Sequence, residues 1–311
     1  MMKIHYYPGC TLKEKTTNLD LSTREAMKRL DVELVEPDGW ACCGAEYPLT
    51  EEKISGLAAP VRVLRQVRDE GGELVVTTCS FCYAVLKRAN KAMIEDPLKN
   101  RRINAYLKDD IKIDPLTKTK TTGFEDYKGE VKVLHLLEYI KDEVTYPRLR
   151  SRIKRDLAGL PIAAYYGCRL LRPQEDMSWG EPDEPRFFEE FLEAVGCRAV
   201  DYPFKQECCG SYLSVSMPDA ASDASYRVLR SAGLNGAAAA TVTCPLCFYN
   251  LDRRQEKIRE MFPDFPGLPV VFFTQILAWA LGVDRDVLGL DQHAVPAGHL
   301  FADDRPAEVR T

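Results

Sequence analysis

Short apolar runs alternate along this chain with longer stretches whose apolar positions recur at helical spacing, and the whole alternation occurs twice. Residues 3–7 read as a strand, 17–30 as an amphipathic helix and 33–36 as a second strand. A helix over 51–70, a strand over 73–77, another helix and a strand over 131–134 complete the first series. The second series runs through a strand at 162–166, a helix at 184–195, a strand at 199–202, a helix at 218–232, and strands at 239–243 and 270–273. Gly71-Gly72 and Gly233 suit helix ends. Pro245 suits a helix's first turn, where its missing N–H leaves no bond unmade.

Strands that alternate with helices of this length form parallel βα units. The pattern therefore predicts an α/β chain of two homologous Rossmann-like domains, each with a small, mostly parallel sheet flanked by helices. They are expected over residues 1–147 and 148–290, followed by a tail over 291–311. The tail carries Pro296, Gly298 and Pro306 without periodicity and is expected to be extended or loose. Residues 96–130 have mixed charge and no counterpart in the second series, and are expected to form a surface insertion.

The polar positions that matter most are cysteines. Tyr6-Tyr7-Pro8-Gly9-Cys10 matches Tyr165-Tyr166-Gly167-Cys168, and Cys42-Cys43-Gly44 matches Cys208-Cys209-Gly210. Cys79-Ser80-Phe81-Cys82 matches Cys244-Pro245-Leu246-Cys247. Between doublet and Cys-x-x-Cys lie 35 residues in one half and 34 in the other, an agreement that marks an internal duplication. Cys10, Cys79, Cys168 and Cys244 each follow a predicted strand. The carboxyl ends of parallel strands share one edge, where ligands bind, so each set of five thiols is expected to gather on one rim. Cys82 and Cys247 fall in a helix's first turn, where free N–H groups and the dipole favour thiolate.

Composition narrows the chemistry. A chain of 311 residues has room for two domains, and 45% hydrophobic with 29% charged residues is globular composition. The net charge of −5 offers no basic excess for nucleic acid. The longest apolar run, 270–283, falls short of the roughly 20 residues of a membrane helix. No basic stretch and apolar core open the chain, so a cytoplasmic location is expected. Clustered cysteines in such a chain point to metal or redox chemistry rather than structural disulfides.

Five thiols exceed the four ligands of structural zinc and of ordinary iron–sulfur clusters. A doublet suits a larger object whose irons can take adjacent sulfurs separately. The glycine after each doublet is expected to let such an object approach the backbone. Zinc with a spare cysteine, and a metal-free Cys-x-x-Cys redox site after a strand, stand beside the iron–sulfur reading.

Cys…Cys-Cys-Gly…Cys-x-x-Cys, present twice, resembles the CCG domain, and over residues 3–285 the chain resembles HdrB, the B-type component of heterodisulfide reductase. Ala45-Glu46-Tyr47 follows the first doublet where the family would suggest smaller residues. The resemblance implies two noncubane [4Fe–4S] clusters, one on Cys10, Cys42, Cys43, Cys79 and Cys82, the other on Cys168, Cys208, Cys209, Cys244 and Cys247. It implies reductive cleavage of a disulfide between them, as of a coenzyme M–coenzyme B kind. It also implies two partners, a ferredoxin-type HdrC-like subunit and a flavin-containing HdrA-like subunit. Lactate-utilisation, glycerol-3-phosphate and succinate dehydrogenase systems contain related electron-transfer subunits, which need not cleave a disulfide. Lys13, Arg169 and Arg172 follow the first cysteine of each motif and are candidate contacts for an anionic substrate or thiolate product. His135, at the same rim, is a candidate proton donor. Trp179 is placed to cover a cluster or a partner, and Cys197 reads as a packing residue.

Overall fold

Strand β1 (Met2–Tyr6) lies parallel between β2 (Val32–Val35) and β3 (Leu74–Thr77), and β3 pairs with β4 (Lys132–His135), giving the order β2-β1-β3-β4. The computed structural model describes residues 1–45, 54–108, 110–113, 120–177, 179 and 183–302. In the second half β5 (Pro161–Ala164) lies between β6 (Arg198–Val200) and β7 (Ala239–Val242), and β8 (Val270–Phe272) pairs with β7. The order β6-β5-β7-β8 repeats that of the first sheet. Strands β5, β7 and β8 are buried at every residue, which is why they read as continuous apolar runs rather than alternating ones.

The next strand in sequence after β1 lies on one side of it and β3 on the other. This reversal opens a crevice outside the carboxyl ends of β1 and β3, and again outside β5 and β7. The four loops leaving these strands carry Cys10, Cys79, Cys168 and Cys244.

The halves share one continuous apolar core. The helix Thr17–Arg29 of the first packs on the helix Phe273–Ala280 of the second. Buried Ser22 and Thr274 hydroxyls meet there at 2.7 Å, and Arg29 donates to Gly282 O at 2.9 Å. Among the described residues, no helix is long and apolar enough to cross a membrane.

One expectation is refined and another corrected. Within 96–130, Asp96 caps a helix at Pro97–Leu107, accepting from Leu98 N at 3.0 Å and Lys99 N at 2.9 Å. Ile103 and Leu107, four residues apart on that helix, are buried with Tyr127, so this largely exposed segment is anchored to the core by one helix face. The tail is not loose over 291–302. Gln292 Oε1 accepts from Thr17 Oγ1 at 3.1 Å, His293 Nδ1 donates to Val270 O at 2.8 Å, and Leu300 and Phe301 are buried. Its apolar residues are spaced for two short 3-10 turns, not for a helix or strand. The rest of the tail, 303–311, lies outside the described residues.

Candidate functional site

Each thiol is placed by the end of an element. Cys10 opens the short helix Cys10–Glu14, while Cys79 and Cys244 are the residues before Ser80–Glu95 and Pro245–Phe248, whose first turns hold Cys82 and Cys247. The doublets are pinned by the tyrosines that directly follow the strands. Tyr7 Oη donates to Ala41 O at 2.8 Å, and Tyr165 Oη donates to Glu207 O at 2.6 Å. In both halves the acceptor is the carbonyl immediately before the doublet. In the sequence these tyrosines show only as a repeat; their use as doublet anchors emerges from the fold.

The thiols form a line. Cys42 Sγ is 3.6 Å from Cys10 Sγ, and Cys43 Sγ is 3.8 Å from Cys82 Sγ. Cys42 neighbours Cys43, Cys82 neighbours Cys79, and Cys79 neighbours Cys244 of the other half. From there Cys244 neighbours Cys247, Cys247 lies 3.6 Å from Cys209, Cys209 neighbours Cys208, and Cys208 neighbours Cys168. Ten thiols thus follow one another, and the order reads the same from either end. The seam is the pair Cys79 and Cys244, beside which Ser80 and Thr243 share a buried hydroxyl–hydroxyl bond. The middle of the line is buried, while Cys10, Cys42 and Cys208 are exposed at its ends.

Within each doublet the neighbouring sulfurs drive the two thiols in opposite directions. The neighbouring sulfurs of Cys42 and Cys82 hold Cys43 down to about 3, and the sulfur of Cys43 pushes Cys42 up. The neighbouring sulfurs of Cys168 and Cys209 hold Cys208 down to about 2, and Cys209 is pushed up to about 12 by the sulfur of Cys208.

The glycines after the doublets serve the turn, and those before the first cysteines give clearance. A Cβ on Gly44 would meet nothing within 4 Å, and one on Gly210 would lie 2.9 Å from Ala221 Cα, so neither is cut away for a neighbouring sulfur. Both have positive φ, +84° and +78°, and serve the backbone turn. Clearance beside sulfur comes from the glycine before the first cysteine. A Cβ on Gly9 would sit 2.8 Å from Cys82 Sγ, and one on Gly167 would sit 3.4 Å from Cys247 Sγ.

The other candidates separate. His135 is fully buried and is not a proton donor at the rim. Its Nε2 donates to Thr78 O at 3.1 Å, its Nδ1 accepts from Leu137 N at 3.2 Å, and burial lowers it to about 3, so it is a neutral helix cap. Through Thr78 it fixes the backbone just before Cys79. Lys13 is committed to Glu36 at 2.5 Å, because one turn of helix carries it over the end of β2. Arg169 stays at the site's edge, donating to Tyr212 Oη at 2.9 Å from Nη2 and 3.2 Å from Nε. Arg172 is exposed, in the turn closed by its N–H on Cys168 O at 3.1 Å. Trp179 stacks on Phe187 at 3.8 Å between centroids and edges Tyr83. Cys197 is buried in the core. Glu46 and Tyr47 lie outside the described residues.

One contact has no counterpart among the described residues of the first half. Asn250 Nδ2 donates to Cys209 O at 2.9 Å and reaches Cys209 Sγ at 3.7 Å, and Ser225 Oγ also donates to Cys209 O. Val85 occupies the position equivalent to Asn250.

Comparison with known proteins agrees with this geometry. The cysteine-rich CCG domain matches residues 4–87 and again 162–252, the two stretches that carry the thiols. The B component of the Ferredoxin/F(420)H(2)-dependent CoB-CoM heterodisulfide reductase of Methanosarcina acetivorans is 31% identical over 301 residues, 95% of this chain and 94% of that one. This chain belongs to the HdrB family of heterodisulfide reductases. Another relative, the 8-methylmenaquinol:fumarate reductase membrane anchor subunit of Wolinella succinogenes, is 28% identical over 95% of this chain and 98% of its own length. A crystal structure of a hypothetical protein from Helicobacter pylori shares the fold, with a TM-score of 0.70 at 12% identity. That match covers 94% of this chain and about half, 51%, of the other.

The family's cysteine-rich domains mark iron–sulfur binding, and the donor set here fits it. Among the described residues no three His, Cys, Asp or Glu converge as ligands of a single ion do. Five sulfurs in a row suit an object with several irons, each able to take thiolate.

Proposed function

We propose that this chain is the disulfide-reducing subunit of a heterodisulfide-reductase-type complex. A noncubane [4Fe–4S] cluster would be held by Cys10, Cys42, Cys43, Cys79 and Cys82, and a second by Cys168, Cys208, Cys209, Cys244 and Cys247. When bound, the clusters would supply the two electrons of R–S–S–R′ + 2 e⁻ + 2 H⁺ → RSH + R′SH, one at a time. The observation that carries the reading is the contact of Cys79 with Cys244. It makes two five-thiol sets into one symmetric array, with a half for each substrate sulfur. The chain's own residues orient and exclude. Tyr7 and Tyr165 hold the doublets, Phe81 of the first Cys-x-x-Cys meets Tyr212 of the second half with ring centroids 6.0 Å apart, and Arg169 offers positive charge to a departing thiolate. Electrons would come from a ferredoxin-type HdrC-like subunit fed by a flavin-containing HdrA-like subunit, in the cytoplasm.

A second reading, an electron-transfer subunit that cleaves no disulfide, is favoured by the full-length match to the Wolinella protein. The experiment that separates them uses anaerobically purified protein with measured iron and sulfide. Disulfides of differing charge are added to the dithionite-reduced protein and thiol release is measured. Product thiols are added to the oxidised protein and electron paramagnetic resonance is followed. Stoichiometric thiol release and a thiol-dependent signal support the proposal. Clusters that cycle without either result support the electron-transfer reading, and zinc without sulfide refutes both.

A further inference from the structure

The surface beside the second doublet is unusually apolar. Gly210 leads into the turn Ser211–Leu213, and from there Tyr212, Leu213, Val215 and Met217 stand exposed, with Leu246 and Tyr249 from the Cys-x-x-Cys helix. Val215 is 95% exposed. Contiguous exposed apolar surface of this kind marks an interaction site. The patch is held together by polar contacts. Arg169 bonds Tyr212 Oη, while Arg254 packs over the Tyr249 ring and donates to Ser214 O at 2.7 Å and Asn250 Oδ1 at 2.9 Å. The Arg254 side chain's bonds go to neutral oxygens of Asn250, Ser214 and Pro218, so its charge is not spent on a carboxylate. Arg172 is exposed nearby in sequence, after Cys168. The patch is therefore apolar at its centre and basic at its edge, on a chain whose net charge is −5.

Its inner side reaches the thiols. Arg254 bonds Asn250, whose amide bonds Cys209 O and touches Cys209 Sγ, so a hydrogen-bonded path joins this surface to the buried sulfur. Exposed Cys208 lies four residues before Tyr212. Around the first doublet Lys13 and Arg24 are paired with Glu36, and Arg62 and Arg65 with Asp110 beside a cleft of about 490 Å³ lined by Trp40 and Ala41.

We infer that this patch is the docking surface for an acidic, one-electron donor protein, so that electrons enter through the half that carries Cys208 and Cys209. The inference rests on the proposed function. The redox site beneath the patch and the basic edge select the occupant: a protein carrying its own iron–sulfur cluster within an acidic face. Charge attraction steers such an encounter and weakens as salt screens it.

The test uses the full chain loaded with clusters and a small acidic two-[4Fe–4S] ferredoxin as donor, with reduction followed by stopped-flow absorbance and binding by calorimetry. Val215→Glu combined with Met217→Glu adds negative charge to two exposed positions outside the thiol array. The variant should bind the ferredoxin at least tenfold more weakly and accept its electrons at least tenfold more slowly. Its reduction by dithionite, a small molecule, should stay within twofold. The wild-type rate with ferredoxin should fall as salt is raised. Unchanged ferredoxin binding and rate, or a parallel loss with dithionite, would overturn the inference. A wild-type protein that takes up no iron and sulfide would instead refute the proposed function.

Discussion

Replacing Gly9 by alanine separates two costs that glycine avoids. At φ +80° and ψ 163° Gly9 occupies a backbone region essentially reserved for glycine, where an alanine costs roughly 1–3 kcal/mol, and Gly167→Ala at φ +64° also meets a backbone that disfavours a side chain. The two sites differ in what the new methyl meets. At Gly9 it would stand 2.8 Å from Cys82 Sγ, while at Gly167 it would stand 3.4 Å from Cys247 Sγ, ordinary contact. Cys82 must then retreat by roughly half an ångström, and such overpacking costs about 1–3 kcal/mol where the neighbour cannot move. In cluster-free protein a buried thiol can rotate about χ1, so each variant should lose only the backbone cost, roughly 1–3 kcal/mol, in urea unfolding. A sulfur bound to iron has no such freedom. Reconstituted Gly9→Ala should therefore bind one cluster fewer, while Gly167→Ala binds both, as read by iron and sulfide per chain. Gly9→Ala with the iron content of the wild type would refute the argument that Cys82 is a fixed ligand packed against this glycine.

Tyr7→Phe and Tyr165→Phe each remove a bond to the carbonyl before a doublet, at 2.8 and 2.6 Å, and should each lower the stability of cluster-free protein by about 0.5–1.5 kcal/mol in urea unfolding. Loss in neither would mean the doublets are held by other contacts. Asp252 is buried, accepts from Ala294 N at 2.7 Å and Val295 N at 3.2 Å, and burial raises its carboxyl from 3.8 to about 6. The folded state thus binds its proton more tightly than the unfolded chain, so this contribution is complete below about pH 4 and is lost as pH rises through 6. Asp252→Asn should flatten that part of the urea midpoint's pH profile between 4 and 7, and an unchanged slope would contradict the assignment.

The sheets and the thiol sets were legible because their signals are local and doubled. Residues 239–242 could hardly be anything but a buried strand, and Cys-Cys-Gly occurring twice has little meaning outside a shared ligand. What the sequence withheld depends on which side chains meet across the fold. His135 follows a strand as the cysteines do, yet its ring turns inward against Tyr83 and Phe273, at 5.7 Å from each, because both nitrogens find backbone partners there. Lys13 and Arg169 occupy similar positions after their cysteines, and only the placement of Glu36 and Tyr212 distinguishes them. The tail's Phe301 gave no periodic sign because it packs on Trp279 from an irregular turn. Nor could spacing place Cys79 beside Cys244, since that contact follows from how the helices Thr17–Arg29 and Phe273–Ala280 bring the two sheets together.

The central claim is that two separate clusters, each on five cysteines, meet at the Cys79–Cys244 seam. The direct measurement is iron and sulfide content, with electron paramagnetic resonance, of the anaerobic wild type beside Cys43→Ser and Cys209→Ser. The wild type should hold about eight irons with matching sulfide, as two four-iron clusters require. Each variant should lose about half and keep the other half's signal, a different one in each case. Variants that keep all their iron, or a wild type that binds zinc without sulfide, would contradict the account.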